Sequence, residues 1–384
     1  MMADAPALYL IAGEASGDAR GAELMRALRA RNPAVKFFGA GGREMREIAG
    51  GDFFDWADEA VVGLWDVLKK YGYFKAQFDR MLADIARVQP AALVLIDYPG
   101  FNLRFAKKVR ATLPAIKIIY YISPQVWAWN RGRIPKMARF LDLMLCIFPF
   151  EKPLYEASGL RTIFVGHPML DSLAAKKTGG AREPELVGLF PGSREKEVRK
   201  LFPVMVEAAL KLRHARKSVH FEASAASHVL ADLMLVELAR QGCDESFCAV
   251  KVREAHSLMQ RAAAGMVCSG TATLEAAYFG LPLVVLYKVV WLTYAVGKRL
   301  VEVPYLGMPN VLAGREIAPE FIQDACEPGA IAAQMLRLLE DPDAAESQQR
   351  ELAAVIAGLG EGGAGVRAAD AILAALSSAG PLPS

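Results

Sequence analysis

Short apolar runs alternate with amphipathic helical segments along almost the whole chain, and this alternation limits the fold more than any other feature. Such runs are typical of strands buried on both faces of a parallel sheet, because helices cover both sides. The repeat therefore predicts an α/β architecture with parallel sheets. The candidate strands are Leu8–Ala12, Val35–Phe38, Leu93–Ile96, Ile116–Tyr121, Leu143–Ile147, Thr162–Val165, Leu186–Phe190, Val219–Ala223, Ala249–Val252, Gly265–Cys268 and Leu283–Leu286.

The alternation is interrupted in the middle of the chain, where hydrophobic periodicity is lost and Gly, Lys, Arg and Pro accumulate. A length of 384 residues also exceeds what one hydrophobic core usually serves. We therefore expect two doubly wound, Rossmann-like domains facing a cleft, with ligands at the carboxyl ends of the strands. The predicted boundaries are an N-terminal domain at 1–172, a linker at 173–185, a C-terminal domain at 186–355 and helices at 356–384 that pack back on the body.

The formal net charge of +3 is too small to argue for nucleic-acid binding by itself, and we expect no nucleic-acid partner. Basic residues nevertheless cluster in the first 140 positions, which suits an anionic surface or phosphate-bearing ligands. For any single one of them, a solvated helix face is the better explanation. The cluster comprises Arg104, Lys107, Lys108, Arg110, Arg131, Arg133, Lys136 and Arg139.

Cysteine usage and the apolar stretches predict the compartment. The five cysteines form no CxxC pair, and two lie inside apolar runs, which indicates reduced thiols. The first residues carry no basic n-region before the strand at Leu8, so we expect no signal peptide. The longest apolar stretch, Leu281–Val296, contains Pro282 and Lys288 and is short for a membrane span. A cytoplasmic protein is expected.

The segment after the Gly265–Cys268 run predicts a phosphate-binding turn. Ser269, Gly270 and Thr271 form a small polar turn between a buried strand and a helix, where unpaired amides and the helix dipole attract an anion. Glu275, one turn into the helix, is out of register for a capping box and could accept hydrogen bonds from a ribose diol. An ordinary Rossmann-like turn with a solvated glutamate would have the same residues.

A second turn of the same kind opens the C-terminal domain. Gly192, Ser193 and Arg194 follow a predicted strand, and the arginine could grip a diphosphate with two hydrogen bonds. Together the two turns predict a clamp for a nucleotide diphosphate. Thr273 and Asn310 complete the candidate set, although Asn310 could equally be an ordinary turn residue.

The N-terminal domain carries the candidate base. Asp97 follows the apolar run Leu93–Ile96, and partial burial there would raise its pKa and suit it to general-base catalysis. An aspartate that only caps the next helix is the alternative. The nearby glycine-rich turns lack the G-x-G-x-x-G pattern, so NAD binding is disfavoured. From these turns and the segment after Asp97 we select Glu14, Ser16, Gly17, Gly41 and Asn102 as candidates for contact with a ligand that approaches the backbone.

Further polar and aromatic residues follow later strands of the first half. Gln125 and Trp127 lie in a segment that could stack a sugar, or could be core anchors. His167 ends the last strand of the domain, where a histidine hydrogen-bonded to backbone is at least as plausible as a catalytic one. The sequence Asp341-Pro342-Asp343 is better explained as a helix break than as a metal ligand set, so we expect no metal site.

Eight segments resemble those of the lipid-A-disaccharide synthase family. Each segment alone has little specificity, but all eight occur in the order and with the spacing of the family, between about residues 8 and 320. They are AGEASGD at 12–18, FFGAGG at 37–42, IDYPGFN at 96–102, YYISPQVWAW at 120–129, FPFE at 148–151, FVGHP at 164–168, FPGSR at 190–194 and CSGTATLEAAYFGLP at 268–282.

The resemblance implies an inverting GT-B glycosyltransferase without metal or cofactor. It would join UDP-2,3-diacylglucosamine to 2,3-diacylglucosamine 1-phosphate, releasing UDP and a β-1,6-linked disaccharide 1-phosphate. The N-terminal domain would hold the acceptor and the C-terminal domain the UDP-sugar, with Asp97 as the base. Such an enzyme would be peripherally bound to the cytoplasmic leaflet of the inner membrane. The oligomeric state stays open, with a homodimer as one option.

Two other function classes stay open on the residues alone. One is a different GT-B enzyme, either a UDP-sugar epimerase or a cell-wall N-acetylglucosaminyltransferase. The other is a non-catalytic UDP-sugar-binding protein, in which Asp97 would be dispensable. An epimerase needs no membrane contact, so the apolar segment at 61–78 disfavours it.

That apolar segment predicts a membrane contact. Its apolar residues have helical spacing, and lysines and aromatic residues flank them, as in helices that lie at a lipid surface. A buried core helix would give the same stripe. The candidate contact residues are Val61, Leu64, Trp65, Leu68 and Tyr71.

Overall fold

The computed structural model describes residues 6–51, 53–56, 71–289 and 303–377. The chain divides into two compact units. The first contains the chain up to Pro168 together with residues from Leu359 onward, and the second contains Met169–Gly358. The chain thus passes from the first unit to the second between Pro168 and Met169, before the linker predicted at 173–185. Residues 173–185 belong to the second unit.

In the described part of the first unit, seven parallel strands form one sheet in the order β3-β2-β1-β4-β5-β6-β7. The strands are β1 (Ala7–Ala12), β2 (Lys36–Gly41), β3 (Phe53–Asp55), β4 (Ala92–Ile96), β5 (Lys117–Tyr121), β6 (Leu143–Cys146) and β7 (Thr162–Phe164). The helices are α1 (Ala15–Arg31), α2 (Arg43–Ala49), α3 (Tyr71–Val88), α4 (Pro99–Thr112), α5 (Val126–Trp129), α6 (Ile134–Met137) and α7 (Glu151–Glu156), with a 3-10 turn at Arg131–Arg133.

In the described part of the second unit, six parallel strands form a sheet in the order β10-β9-β8-β11-β12-β13. The strands are β8 (Glu183–Phe190), β9 (His220–Ala225), β10 (Cys248–Val252), β11 (Ala262–Cys268), β12 (Leu283–Tyr287) and β13 (Glu320–Ile322). The helices are α8 (Met169–Ala174), α9 (Glu195–Ala215), α10 (His228–Arg240), α11 (Ala255–Arg261), α12 (Thr271–Tyr278), α13 (Met308–Ala313), α14 (Pro328–Glu340) and α15 (Pro342–Gly358), with a 3-10 turn at Gln323–Ala325.

Every predicted strand overlaps an observed one, which confirms two doubly wound parallel sheets. The prediction missed β3 and β13. Both are three-residue strands at an edge of their sheet, and each pairs with one neighbouring strand only. Three residues are too few to show a hydrophobic pattern in the sequence.

The last helix, α16 (Ala364–Ser377), belongs to the first unit and packs against α1, so the prediction that the C-terminal helices pack back is confirmed. An ion pair between Arg31 and Asp370 joins the two helices. Lys117 also donates a hydrogen bond to the carbonyl oxygen of Ala375.

The strand register brings together the turns that matter for function. β1 and β4 are neighbours, with Ala12 opposite Ile96, so the residues that follow them emerge side by side. In the second sheet, Phe190 lies opposite Val267. The carboxyl edge of each sheet therefore presents two adjacent strand-to-helix turns, which is where ligands bind in folds of this type.

The predicted membrane contacts largely fall outside the described residues. Val61, Leu64, Trp65 and Leu68 all do, and Tyr71 is the first residue of α3 with its side chain undescribed. Among the helices that are described, none combines the length and hydropathy needed to cross a bilayer.

Candidate functional site

A cavity of about 200 Å³ opens at the carboxyl edge of the first sheet. The turn after β1 contributes Glu14, the first turn of α1 contributes Ser16 and Gly17, and the turn after β4 contributes Asp97. The structure thus brings three predicted site residues near the start of the chain together with Asp97, which lies about eighty positions later. Gly13, Tyr98 and Pro99 also line this cavity.

The backbone around this cavity is strained at three non-glycine residues. Glu14, Asp97 and Tyr98 have φ angles of 45°, 47° and 49°. Residues with a Cβ rarely adopt such positive φ angles, and each instance costs on the order of 1–3 kcal/mol of conformational free energy. Such strained residues persist only where the surrounding fold holds them in place, and they tend to cluster at functional sites. Their concentration in the lining of one cavity therefore indicates a functional site.

Asp97 lies partly exposed in this cavity. Burial raises the pKa of Asp97, the Tyr98 amide opposes this by stabilising the carboxylate, and the negative charge of Glu14 adds to the increase. The predicted direction of the pKa shift is confirmed. A carboxylate with a raised pKa is a stronger base than an ordinary aspartate, which suits it to accept a proton from a hydroxyl group.

Asn102 lies beneath the cavity and does not line it. It is fully buried, and its Nδ2 donates to the carbonyl oxygens of Ile96 at 3.2 Å and Asp97 at 2.8 Å. In this structure Asn102 therefore supports the backbone of Asp97 through these hydrogen bonds.

The glycine-rich turn that contains Gly41 is occupied by an internal carboxylate. Asp18 accepts hydrogen bonds from the amides of Gly42, Glu44 and Met45 at 2.8–3.1 Å. The aspartate thus caps the start of α2, and these amides are already engaged. The last residue of the AGEASGD segment is a structural cap that sequence reasoning missed.

The segment after β5 separates its two candidates. Gln125 is exposed, whereas Trp127 is buried with its Nε1 donating to Glu151 Oε1 at 2.8 Å. Glu151 also accepts hydrogen bonds from Ser123 at 2.5 Å and from the Phe148 amide at 3.1 Å. Trp127 is thus a core anchor in this structure.

The exposed tryptophan of that segment is Trp129, on which the guanidinium of Arg133 stacks at 4.7 Å. His167, by contrast, is buried. Burial, followed by the positive charge of Arg20, lowers the pKa of His167 to about 4. The imidazole is therefore neutral near pH 7.

In the second unit, the Gly192–Arg194 turn closes onto Glu197. The carboxylate accepts hydrogen bonds from the amides of Ser193 and Arg194 at 3.1 and 3.2 Å, and from the Arg194 guanidinium at 2.9 Å. Gly192 has a φ of 109°, and a Cβ there would lie 2.4 Å from Glu197 Oε2. The glycine is therefore needed for the carboxylate to reach the turn.

The neighbouring turn after β11 presents a more open helix start. Gly270, with a φ of 141°, and Thr271 are exposed, and no side chain of the described chain caps α12. Ser269 and Thr273 shape this turn: their hydroxyl groups each donate at 2.8 Å, to the carbonyl oxygens of Leu306 and Gly270. Thr273 is fully buried, so it supports the turn from below.

Glu275 lies one turn further along α12 and is about one quarter exposed. His256 Nε2 lies 3.4 Å from its carboxylate, and the imidazole packs against the ring of Phe279. His256 was not predicted, because it comes from α11 and its proximity to Glu275 depends on how the two helices pack.

Asn310 is fully buried and its amide is occupied within the protein. Nδ2 donates to Ala318 O at 2.7 Å and to Glu320 Oε1 at 2.8 Å, and Oδ1 accepts from the amides of Ile317 and Ala318. In this structure it holds the loop before β13, which corresponds to the ordinary turn role considered above. A direct nucleotide contact would require these bonds to break.

The Asp341-Pro342-Asp343 sequence marks the junction between α14 and α15. Asp341 Oδ1 accepts a hydrogen bond from the amide of Ala344 at 3.1 Å. Within the described ranges, there is no group of three or more His, Cys, Asp or Glu side chains placed to hold a metal ion.

Comparison with known proteins identifies the family. The family model described as lipid-A-disaccharide synthetase matches residues 8–369. The chain belongs to the lipid-A-disaccharide synthase family. The lipid-A-disaccharide synthase of Trichlorobacter lovleyi is 42% identical over 374 residues, which cover 95% of this chain and 96% of that protein. The synthase of Pseudomonas aeruginosa is 37% identical, with coverage of 97% and 98%.

Solved structures place this lipid-A-disaccharide synthase family member in the GT-B fold. The UDP-GlcNAc 2-epimerase from Neisseria meningitidis superposes with a TM-score of 0.62 at 12% identity, covering 96% of this chain and 100% of that one. MurG from Acinetobacter baumannii gives 0.58 at 10% identity, with coverage of 96% and 99%. At such low identity these similarities concern the fold alone.

Proposed function

We propose that this chain transfers the diacylglucosamine of UDP-2,3-diacylglucosamine to the 6-hydroxyl of 2,3-diacylglucosamine 1-phosphate. The products are UDP and the β-1,6-linked disaccharide 1-phosphate. The observation that carries the proposal is the cavity in which Glu14 and Asp97 meet, in a chain that belongs to the lipid-A-disaccharide synthase family.

Asp97 is the base in this proposal. As the acceptor oxygen forms its bond to the anomeric carbon of the donor, Asp97 takes the hydroxyl proton, and the bond between that carbon and UDP breaks on the opposite face. The configuration is therefore inverted. The raised pKa of Asp97 supports this assignment, because general-base catalysis improves as the pKa approaches the working pH.

The second unit supplies the donor site in this proposal. The exposed amides at the start of α12 and the Arg194 guanidinium stabilise the negative charge that develops on the departing diphosphate. Glu275 accepts hydrogen bonds from the ribose hydroxyl groups. Ser269 and Thr273 hold the turn in the conformation that exposes these amides.

The remaining predictions concern where the enzyme works. We propose that the apolar stripe contacts the cytoplasmic leaflet of the inner membrane; its residues are Val61, Leu64, Trp65, Leu68 and Tyr71. The physical reason is that moving an acyl chain from the bilayer into water costs about 0.8 kcal/mol of free energy for each methylene. A homodimer is kept as a hypothesis that sedimentation equilibrium tests.

Mass spectrometry of the products tests the proposed reaction. Incubation with UDP-diacylglucosamine and diacylglucosamine 1-phosphate is expected to give one disaccharide 1-phosphate and one UDP per turnover. A UDP-sugar epimerised without consumption of acceptor would overturn the proposal in favour of an epimerase. Nucleotide binding without any product would favour a binding protein.

A further inference from the structure

The chain makes an unusual turn where β4 ends. Asp97 and Tyr98 are consecutive residues with positive φ, so the peptide group between them is held in a conformation that an unsupported chain would leave. The carboxylate of Asp97 points into the cavity only while this turn persists, because backbone geometry sets the direction of the Cα–Cβ bond.

Two buried side chains hold this peptide group. The Tyr120 hydroxyl donates to the Asp97 carbonyl oxygen at 2.6 Å, and Asn102 Nδ2 donates to the same oxygen at 2.8 Å. Both side chains are fully buried, and they come from different elements, β5 and α4. On its other side, the Asp97 amide donates to the carbonyl oxygen of Tyr121 at 2.9 Å.

The two donors cannot easily find other partners. Burial raises the pKa of Tyr120 well above its ordinary value, so its hydroxyl stays protonated and available as a donor. Asn102 Nδ2 also bonds to the carbonyl oxygen of Ile96, so one amide group bridges two successive carbonyls at the end of β4. Buried donors that are satisfied in one geometry only will resist any change in that geometry.

We propose that Tyr120 and Asn102 are positioning residues for Asp97, and that their hydrogen bonds to its carbonyl oxygen aim the carboxylate into the cavity. The proposal rests on the proposed function, since it requires Asp97 to be the base. Neither residue touches a substrate in this account. A base that is displaced by about 1 Å can lose on the order of 10²-fold in rate, so the effect should be large.

Tyr120→Phe removes one hydroxyl group and tests the proposal. We expect kcat to fall about 10- to 100-fold with KM little changed. We also expect the acid limb of the kcat/KM profile to move to lower pH, because a carboxylate released toward solvent loses the burial that raises its pKa. Among the described residues, the titratable groups around Asp97 are Glu14, Tyr98 and Tyr120, and only Tyr120 is changed.

Tyr155→Phe is the matched control. Tyr155 is also fully buried, and its hydroxyl donates to a backbone carbonyl, that of Pro124, at 2.9 Å. The control should lower the melting temperature by a similar amount and leave the acid limb in place. A merely structural role for Tyr120 would make the two variants alike in both readouts, which would overturn the proposal.

Two further variants keep the outcome decisive. If Tyr120→Phe fails to fold, Asn102→Ala provides the same test, with the same acid-limb shift expected and an unshifted limb overturning the proposal. Asp97→Asn separates this inference from the proposed function. If Asp97→Asn keeps its turnover, Asp97 is not the base and the proposed function loses its catalytic residue. If Asp97→Asn is inactive while Tyr120→Phe keeps the kinetics of the unmodified enzyme, only the positioning role of Tyr120 is contradicted.

Discussion

Arg194 and Glu197 form a closed pair at the start of α9, with the guanidinium 2.9 Å from one carboxylate oxygen and the Arg194 amide 3.2 Å from the other. The groups proposed to grip a diphosphate are thus bound to an internal carboxylate. A diphosphate that uses the same donors must displace Glu197 or share them with it, because like charges at one helix start repel each other.

Glu197→Gln should therefore tighten UDP binding. Glutamine keeps the shape and one acceptor oxygen but loses the charge that competes with the diphosphate. We expect Kd to fall about 3- to 10-fold, which corresponds to about 0.7–1.4 kcal/mol, the typical net contribution of one hydrogen bond. Isothermal titration with UDP measures this. Glu195→Gln is the control, because Glu195 lies at the same helix start but pairs with Arg199 at 2.7 Å. Weaker binding in Glu197→Gln would show that the carboxylate organises the site instead.

Arg194→Ala and Glu275→Ala should each weaken UDP binding by about 1–3 kcal/mol, the range for charge-assisted hydrogen bonds. Arg194 is 80% exposed in its side chain, so its removal should leave the fold intact. Arg199→Ala, at an exposed position on the same helix, serves as the control. Unchanged affinity in both variants would remove the proposed clamp.

Asp97→Asn should reduce turnover by about 10²–10⁴-fold while UDP affinity is retained, because the amide cannot accept the proton. In the unmodified enzyme, kcat/KM should fall as the pH drops through the raised pKa of Asp97. Steady-state kinetics with a melting curve decides between base and helix cap. A loss of thermal stability that parallels the loss of activity would favour the capping role.

Glu151 should make folding stability depend on pH. Burial raises the pKa of Glu151 to about 7, so the folded state holds its proton more tightly than the unfolded chain. The resulting stabilisation is complete below about pH 4 and is lost as the pH rises through 7. The free energy of unfolding should fall by up to about 3 kcal/mol over that range, at about 1.4 kcal/mol per pKa unit.

Urea unfolding of Glu151→Gln at pH 5 and pH 8 isolates this contribution. The variant should lose the downward trend, whatever its absolute stability. His167, whose pKa is lowered to about 4, acts in the opposite direction and is present in both proteins, so it cancels in the difference. Glu156→Gln, an exposed position on the same helix, is the control. An identical pH trend in Glu151→Gln and the unmodified protein would contradict the assignment.

Replacing Leu64, Trp65 and Leu68 by Ser or Gln should reduce sedimentation with anionic phosphatidylglycerol vesicles and leave the melting temperature nearly unchanged. Val229→Ser with Val236→Ser is the control, since both valines are exposed apolar residues of α10, at 66% and 68%. Unfolding of the triple variant, or undiminished vesicle binding, would show that the stripe is core.

The sequence determined the two sheets, the turns that follow their strands, and the place of Asp97 at the end of β4. These features follow from local periodicity, which is visible within a few residues. The raised pKa of Asp97 was predictable for the same reason, because an entirely apolar strand before it implies burial.

Only the tertiary structure decided which polar groups meet. It brought Glu14 beside Asp97 through the pairing of β1 with β4, and it buried Trp127 while leaving Trp129 exposed. It also engaged the glycine-rich turns with Asp18 and Glu197. A hydrogen bond depends on the distance and angle between two groups that can be far apart in the chain, and periodicity carries no information about either.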